Sequence, residues 1–432
     1  MSKLHQPPKI TDDTDDIKDI LSMLHGERSS QEIIDFIQDH ETEKYYHWDK
    51  FRRIPVPAGY THEELWKAIK FKRWWGVKIK LLENIFSFRI PNFLLKKLHE
   101  IDLHMGGSLA GNDLIPKWDE IKYLHSSLME ESIASSQIEW AATTREVAKE
   151  MILSQRLPRT HDEKMILNNY HAMQFVSRNK KHTLTIDSIL NLHQILTQWT
   201  LEHEYDEWKF RINDDIRVVD TLTWETLHHP PKAIEIPKLM EELIHFFNSD
   251  NEKIFVHPII KGIILHFFIG WIHPFADGNW RTARWLFYWY IINHGYWLTE
   301  YISISRIIKR STVRYKNAYL YTETDDNDLT YFIDYNIECL MGGLEAFKEY
   351  IHNQLEKQKI MRDDLIGTWL NHRQIKILTW LKENEKIVTV QQTSNTFWAP
   401  LQTTRLDLEW LVKIWKLKKI PINKKAFWYT LP

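Results

Sequence analysis

The sequence predicts a mainly helical protein with one β-hairpin, and two observations lead to this. From residue 93 to about 350, apolar residues recur at three- and four-residue spacing, as in the series Ile121, Leu124 and Leu128. One segment in this region, from Phe210 to Thr221, instead alternates as a strand does. We therefore expect a bundle of helices that carries a single β-hairpin flap. At ~150 residues per domain, the 432 residues allow two to four domains.

The composition is that of an ordinary globular protein and excludes several classes. Hydrophobic residues make up 43% and charged residues 26%, and a net charge of −2 gives no global basic field for nucleic acid or membranes. The single cysteine, Cys339, excludes an intrachain disulfide and a cysteine-based zinc cluster. The longest apolar run, Trp285 to Ile292, is far shorter than the ~20 residues that span a bilayer. With a polar, acidic N-terminal segment, these features predict a cytoplasmic protein without a membrane partner.

Residues 1–92 are expected to form an N-terminal arm or small domain. The first 40 residues are acidic around Asp12 and Asp13 and then amphipathic for a short stretch, which predicts a mobile arm. Aromatic and basic residues are mixed between Tyr45 and Pro91. This mixture fits a small domain with an aromatic core or a docking arm, and the core is the simpler interpretation.

Residues 93–350 are predicted to form the helical core. Thr185, followed by Asp187, has the composition of a helix start, because a threonine hydroxyl can cap the free N–H groups of a first turn. After the alternating segment the chain reaches Pro230 and Pro231, which form a stiff turn. We place the β-hairpin flap at about residues 208–222.

Residues 364–432 have the outline of a winged helix. Helices are predicted at 373–381 and 403–414, and residues 387–390 fit either a short strand or the approach to the next helix. A basic stretch that begins at Lys416 follows as a hairpin. Winged helices bind DNA or dock proteins. Because the basic face here is modest, DNA binding is the less favoured of the two roles.

One twelve-residue segment, from His273 to Arg284, concentrates the residues of a phosphoryl- or nucleotidyl-transfer site. It lies between two apolar helical stretches, so it is a loop that ends at a helix N-terminus, where free N–H groups attract anions. His273 can take a proton near neutral pH, and Asp277 is an oxygen ligand of the kind that Mg²⁺ combines with phosphates. The side chains of Arg281 and Arg284 are donors suited to phosphate oxygens.

This segment resembles the Fic motif, HxFx(D/E)GNGRxxR, at every fixed position but one, where Trp280 replaces the second glycine. The resemblance runs from about Tyr45 to Asn336. It implies a Fic helical core and a protein adenylyltransferase, which moves AMP from ATP to a hydroxyl of a target protein. It also implies a role for each residue: His273 as the base, Asp277 as the metal ligand, Phe275 as the core anchor of the loop, Gly278, Asn279, Trp280, Arg281 and Arg284 as the nucleotide site, and Phe210 and Arg211 as part of the flap that aligns the target.

A second motif precedes this segment in the chain. The sequence from Ser135 to Glu139 resembles the inhibitory motif (S/T)xxxE(G/N) of the same family, with Trp140 at its last position. The resemblance implies an inhibitory helix at about residues 125–150, whose glutamate pairs with Arg284. A carboxylate on this arginine would displace the γ-phosphate of ATP, so the resting enzyme would be slow.

The resemblance also sets the expected cofactors and partners. ATP is the substrate, with Mg²⁺ or Mn²⁺, and the acceptor is a serine, threonine or tyrosine of a protein. Self-modification and a homodimer are further expectations. Two alternatives stay open: a de-AMPylase that uses the same site, and a degraded Fic fold that acts as a binding or winged-helix regulatory protein. A zinc hydrolase lacks support because His104 misses the required spacing from His99 by one residue.

Tryptophan stands at four positions where glycine is expected: Trp140 and Trp280 by the two motifs, Trp208 before the flap, and Trp415 at a helix end. Glycine is only 13 of 432 residues, less than half its usual ~7% share, whereas tryptophan reaches 20. One hypothesis is that the gene comes from an organism that reads UGA as glycine and was translated with UGA as tryptophan. The alternative is that the tryptophans are genuine and the site is degraded and inactive.

Overall fold

The fold contains three hydrophobic cores that follow one another along the chain. The computed structural model describes all residues except 1–3, 11–13, 27, 107–119, 221–223, 250–254, 365–369, 385–386 and 423–425. Within these residues the cores involve residues 20–69, 81–351 and 377–429, and the middle one is the largest. No helix of the described chain has the length and apolar character to cross a bilayer. The predicted mainly helical class is confirmed.

The N-terminal region is more ordered than the predicted mobile arm. It consists of α1 (Thr14–His25), α2 (Gln31–Thr42), α3 (Trp48–Phe51), α4 (His62–Arg73) and an antiparallel hairpin of β1 (Val77–Leu81) and β2 (Asn84–Phe88). The arm prediction is wrong because apolar residues of α1 and α2, such as Ile20 and Ile37, are buried with Trp66 of α4. The hairpin belongs to the middle core, where the ring of Phe86 lies 5.0 Å from that of Phe268.

In the described part of the middle region there are eleven α-helices: α5 (Asn92–Met105), α6 (Glu120–Ile138), α7 (Arg145–Ser154), α8 (His161–Asn179), α9 (Ile186–Thr197), α10 (Ile236–Asn248), α11 (Pro258–Ile272), α12 (Asn279–Asn293), α13 (Ile304–Arg310), α14 (Thr312–Thr324) and α15 (Thr330–Asp364). The α11 helix is buried from Ile259 to Ile272, and α12 is buried almost all round, so these two form the centre of the bundle. Thr185 caps α9 as predicted, since its side chain accepts the N–H of Ser188.

The structure corrects the predicted inhibitory helix. A single helix across 125–150 is wrong: α6 ends at Ile138 and α7 begins at Arg145, so Glu139 lies in the turn between them. The chain breaks there because Trp140 is left-handed, with a φ of 69°, and the N–H of Ala141 returns to the carbonyl of Ser136.

The structure also moves the flap. Its strands are β3 (Val218–Val219) and β4 (Thr226–His228), which pair antiparallel, so the hairpin begins inside the predicted 208–222 and extends beyond it to residue 228. The predicted end of the flap at residues 221–222 lies outside the described residues. The alternating pattern before β3 does not form a strand, and its apolar residue Ile212 is 84% exposed instead of buried on one face of a sheet.

The described C-terminal residues form three helices followed by two strands, and their assignment as a winged helix stays a prediction. They are α16 (His372–Asn384), α17 (Val390–Phe397), α18 (Leu401–Lys413), β5 (Lys418–Pro421) and β6 (Phe427–Thr430). The two strands pair antiparallel. Val388 forms an isolated antiparallel bridge with Tyr429 of β6, on the other side of that strand from β5. Leu381, Leu408 and Leu411 are buried in a core of their own. The α17 helix contacts the middle region, where Asn395 Nδ2 donates to the carbonyl of Leu153 at 2.6 Å.

Candidate active site

The segment from residue 273 to 278 forms the loop between α11 and α12, as predicted, and α12 begins at Asn279, within the twelve-residue segment. Two left-handed residues shape this loop, His273 with a φ of 51° and Gly278 with a φ of 79°. A Cβ atom at Gly278 would lie 2.8 Å from Thr197 Cγ2. Glycine is therefore required at 278 both by the backbone angle and by the close approach of α9.

His273 is buried and oriented by the end of its own helix. Its side chain is part of a residue only 8% exposed, and its Nδ1 lies 3.2 Å from the carbonyl oxygen of Gly270. Because a carbonyl only accepts, this contact assigns the proton of the neutral ring to Nδ1 and leaves the Nε2 lone pair free. Burial lowers the pKa of His273 to about 4, so the ring is neutral at physiological pH. A neutral imidazole with a free Nε2 can act as a general base.

Asn279 and Phe275 fix the shape of the loop. The side-chain amide of Asn279 bonds both backbone groups of Phe275, with Oδ1 accepting its N–H and Nδ2 donating to its carbonyl, each at 2.9 Å. The Phe275 ring is fully buried and stacks on His193 at 3.8 Å. Phe275 thus lies in the core, where the sequence predicted it. The side chain of Asn279 is occupied by the loop, so any contact with a phosphate would be made by its backbone N–H.

Asp277 and Arg281 form an ion pair at the mouth of the loop. Arg281 Nη2 lies 3.0 Å from Asp277 Oδ2, and Nη1 donates to the carbonyl of Leu196 at 2.8 Å. The Asp277 side chain is 63% exposed, whereas that of Arg281 is 3% exposed. Within the described residues no three histidine, cysteine or acidic side chains cluster as a metal cage. One exposed carboxylate fits Mg²⁺ or Mn²⁺ that arrives with a nucleotide, since such ions take one or two carboxylates plus phosphate oxygens.

Arg284 is buried and bonds to the end of α6. Its Nε donates to the Ser135 hydroxyl at 3.0 Å, and its Nη2 donates to the Ser135 carbonyl at 3.2 Å and to Glu139 Oε1 at 2.9 Å. The Glu139 side chain is 22% exposed and that of Arg284 only 2%. The approach of Glu139 to Arg284 that the sequence predicted is therefore present, although Glu139 lies in a turn rather than in a helix.

Several donors at the start of α12 have no protein partner. No side chain caps this helix, so the N–H groups of its first turn are free. Arg281 Nε and Arg284 Nη1 are buried nitrogens without a hydrogen-bond acceptor among the described residues. Unpaired buried donors cost free energy, so a site that contains them is completed when acceptor atoms bind. An anion with several oxygens, such as a phosphate chain, matches this set.

Trp280 occupies the space next to these groups. Its ring lies 4.8 Å from that of Tyr319 and 5.8 Å from that of His273. It lines a cavity of about 380 Å³ together with Glu139, residues of β3 and β4, and residues of α14. The predicted nucleotide-site position 280 is thus in the site, and its indole fills part of the space beside the base.

Phe210 and Arg211 do not lie in the hairpin, which corrects their predicted role in target alignment. Arg211 is buried, and its Nε donates to the carbonyl of His273 at 2.8 Å, while its own N–H donates to the carbonyl of Pro274 at 2.9 Å. The Phe210 ring lies 5.6 Å from Phe275. Both residues contact the loop of residues 273–278 and support it, Arg211 through hydrogen bonds to its carbonyls and Phe210 through the ring of Phe275.

Two histidines of the site were missed by sequence reasoning. His193 of α9 lies 2.9 Å through Nε2 from the Asp277 carbonyl, and His228 of β4 lies 2.7 Å from the Trp271 carbonyl and 2.9 Å from Glu323. His228 therefore fastens the flap to α11 and α14. Neither histidine belongs to a motif, and each looks in sequence like an isolated polar residue, so no local signal identifies them.

Comparison with known proteins places this loop in a family. Residues 183–291 match the Fic/DOC family. Proteins named protein adenylyltransferase Fic are similar to the chain: that of Nematostella vectensis is 24% identical over 190 residues, and that of Drosophila virilis 25% over 189. Each match covers 43% of this chain, and 40% and 35% of the relative, so the chain spans well under half the length of these relatives.

The crystal structure of a Fic family protein from Desulfovibrio desulfuricans G20 has a similar fold. Its TM-score is 0.50 at 18% identity, and the alignment covers 80% of this chain and 97% of that one. At this identity the likeness concerns the fold only. The matched residues 183–291 contain α9, α11, the loop with its left-handed His273 and Gly278, and most of α12. Residues 183–291 are therefore similar in sequence to the Fic/DOC family, and the fold around them resembles that of a Fic family protein.

Proposed function

We propose that the protein is an adenylyltransferase that transfers AMP from ATP to a hydroxyl side chain of a protein. The observation that carries this proposal is the uncapped start of α12, with two buried arginines beside it and a neutral His273 at the other end of the same short loop. An anion site and a base held this close together suit the transfer of a phosphorus group to a hydroxyl. The names of the curated relatives support the same activity.

In the proposed reaction, Nε2 of His273 takes the proton of the target hydroxyl as its oxygen attacks the α-phosphorus of ATP. The bond between the α- and β-phosphates breaks, and pyrophosphate leaves. The first-turn N–H groups of α12 and the free donors of Arg281 and Arg284 bind the phosphate oxygens and stabilise the charge that develops on them. Mg²⁺ or Mn²⁺, when bound with the nucleotide, neutralises charge on the phosphates, and Asp277 would hold it.

We further propose that Glu139 keeps the resting enzyme slow. Arg284 bonds to Glu139 and to Ser135, so it is unavailable to the terminal phosphate of ATP while these bonds persist. Because the arginine is buried, its charge-assisted bond to Glu139 is stronger than a bond on an open surface. The flap of β3 and β4 borders the same cavity, which makes it the edge along which a target segment would lie.

The target is a serine, threonine or tyrosine of another protein or of the chain itself, within the cytoplasm. We assign the C-terminal elements to protein docking in preference to DNA binding. We also propose that the protein forms a homodimer. One observation favours a second candidate: the Trp280 indole lies beside the phosphate donors, as expected for a degraded domain that binds without catalysis. Removal of AMP from targets, with Glu139 positioning water, would use the same groups.

The proposed activity is tested by incubating lysate with ATP labelled at the α-phosphate and the Trp280→Gly chain. We expect label on protein, dependent on Mg²⁺ or Mn²⁺, and we expect Asp277→Ala to weaken metal-dependent nucleotide binding because no other carboxylate lies in the loop. The matched control is Asp187→Ala, which removes an acidic residue from the first turn of α9. Label transfer that persists in excess chelator would exclude the metal role, and label from the γ-phosphate alone would exclude AMP transfer.

The buried position of His273 predicts an unusual pH dependence. An exposed histidine changes charge near pH 6.5, whereas burial places the pKa of His273 at about 4. The base is active when neutral, so we expect kcat/KM to persist as the pH falls through 6.5 and to decline only nearer 4. In the Trp280→Gly chain, extra water beside the His273 ring would raise the pKa of this histidine from about 4 toward the ordinary value of 6.5. A midpoint at or above 6.5 for the unaltered chain, measured by NMR titration of His273, would contradict this prediction.

A further inference from the structure

Six tryptophans of the described chain have a backbone conformation that favours glycine. Eleven residues other than glycine have a positive φ among the described residues, and six of these are tryptophans. Their φ angles lie between 49° and 69°. A side chain disfavours this conformation, glycine adopts it freely, and asparagine, aspartate and histidine are the usual exceptions. The six tryptophans are Trp140, Trp199, Trp208, Trp224, Trp398 and Trp415.

Three of the six end helices in the manner of glycine. The N–H of Trp140 donates to the carbonyl three residues earlier at 3.3 Å, and the next N–H donates to the carbonyl five residues before it at 3.1 Å. Trp415, after α18, repeats both bonds at 3.0 and 2.9 Å. Trp398 ends α17 with the second bond at 3.1 Å. This pair of bonds defines the helix end whose left-handed residue is usually glycine.

Two others lie in turns that call for glycine. Trp199 follows a residue with a φ of −51° and a ψ of 122°, and the turn 197–200 closes with a 2.9 Å hydrogen bond. These are the angles of a type II turn, whose third residue needs a positive φ. Trp224 lies in the flap hairpin, just before β4, and its N–H donates to the Asp220 carbonyl at 2.7 Å. Hairpin connections favour glycine at such left-handed positions.

The side chains of these tryptophans add little to the fold. Five of the six are between 50% and 88% exposed, and only Trp398 stacks on a neighbour, His125. Five other tryptophans are buried, and none of them has a positive φ: Trp48, Trp66, Trp271, Trp285 and Trp289. The two sets do not overlap. One consists of packing residues, and the other consists of large side chains in solvent at glycine conformations.

Trp280 is grouped with the six left-handed tryptophans because of its position in the candidate site and not because of its backbone. Its backbone is helical, but its indole is packed against Gly270, where an added Cβ would lie 2.7 Å from the ring, and it fills space beside His273. A glycine there would open the approach from the cavity to the first-turn N–H groups of α12. This step rests on the proposed function, whereas the assignment of the six backbone positions does not.

We infer that the chain made in its own cells carries glycine at seven of its tryptophan positions. Reading of UGA as glycine in the native cell, where a translation by another code writes tryptophan, accounts for all seven. It also reduces the shortage of glycine, because seven further glycines add to the 13 in the sequence. The five buried tryptophans are then genuine and encoded by UGG. The seven positions are Trp140, Trp199, Trp208, Trp224, Trp280, Trp398 and Trp415.

The gene and the native protein test this inference directly. We expect UGA codons at the seven positions and UGG codons at the five buried ones, and we expect peptides of protein purified from its native cells to contain glycine at the seven. The buried tryptophans are the internal control, since the same protein should retain them. Tryptophan in the native peptides at the six left-handed positions overturns the inference.

A second measurement uses the purified chain. Replacing the six left-handed tryptophans by glycine should leave the unfolding midpoint unchanged or raise it, because glycine relieves the backbone conformation and little packing is lost. The control variants Trp66→Gly, Trp285→Gly and Trp289→Gly should each lower the midpoint markedly, since each empties a buried space. A midpoint that falls for the six-glycine chain as it does for the controls contradicts the inference.

Measurements of AMP transfer by the Trp280→Gly chain and by the unaltered chain separate this inference from the proposed function. If native peptides contain Gly at position 280 and the Trp280→Gly chain transfers AMP while the unaltered chain does not, both stand. If the native residue is glycine but the Trp280→Gly chain transfers nothing to any lysate protein, the adenylyltransferase proposal fails and the decoding inference stands. If the native residue is tryptophan, glycine at 280 is overturned whatever the activity.

Discussion

Replacing His273 in the Trp280→Gly chain is expected to lower the rate of AMP transfer ~10²–10⁴-fold, the usual loss when a general base is removed. Alanine is a poor choice on its own, because residue 273 is left-handed and alanine is strained there. Asparagine tolerates that conformation and can still donate to the Gly270 carbonyl, but it cannot take a proton at pH 7. His273→Asn therefore isolates the loss of the base. The labelling rates of the Trp280→Gly chain with and without His273→Asn measure this loss.

The matched control is His182→Ala, which removes an exposed histidine whose ring lies 3.1 Å from Asn179 Oδ1. Its labelling rate should equal that of its parent. Nucleotide binding by His273→Asn should also be retained, since the phosphate donors belong to α12 and the arginines. Transfer by His273→Asn at the parent rate would exclude His273 as the base.

Replacing Glu139 by glycine in the Trp280→Gly chain is expected to raise labelling roughly 10- to 100-fold. A hydrogen bond to a charged group contributes ~1.5–3 kcal/mol, and this one must break before Arg284 can bind the terminal phosphate of ATP. The bonds from Arg284 to Ser135 remain in the variant, so the release is partial. Initial rates of labelling with and without the substitution measure the effect.

Two control variants test whether Glu139→Gly activates the enzyme by releasing Arg284 or only by introducing a flexible glycine into a turn. Glu83→Gly removes a carboxylate that is 95% exposed in the β1–β2 turn, and it should activate nothing. Arg284→Ala should lower labelling rather than raise it, because it removes a donor that the nucleotide needs. The double variant of Glu139 and Arg284 should resemble Arg284→Ala alone. A Glu139→Gly chain no faster than its Trp280→Gly parent would remove the autoinhibition proposal and leave the transfer activity standing.

The sequence predicted the parts of the site that depend on one continuous segment. The loop between α11 and α12 follows from two apolar helical stretches around a polar break, and the residues from His273 to Arg284 carry its chemistry within twelve positions. The pairing of Arg284 with Glu139 is distant in the chain and was predicted only because a motif connects the two. Its setting was wrong, since a left-handed residue 140 ends α6 before Glu139.

What the sequence could not predict depends on contacts between distant elements. Phe210 and Arg211 alternate with their neighbours as a strand would, yet the buried guanidinium of Arg211 donates to the carbonyls of His273 and Pro231. His193 and His228 are positioned by α9 and β4 against backbone carbonyls that no pattern reveals. In the N-terminal region, local acidity suggested an arm, whereas burial of Ile20 and Ile37 against α4 holds two helices.

The β1–β2 hairpin bears on how this protein can be divided or recombined. It precedes α5 in sequence, yet Phe86 and Phe88 are fully or almost fully buried in the core of the bundle, and Ser87 exchanges backbone hydrogen bonds with Asn327 and Leu329. A fragment that starts at residue 93 would expose this surface and present apolar groups to other molecules. A fragment of the bundle therefore has to retain β1 and β2. Removal of the helices before them would also break the buried bonds from Tyr45 to Asp328 and from Arg73 to Tyr331.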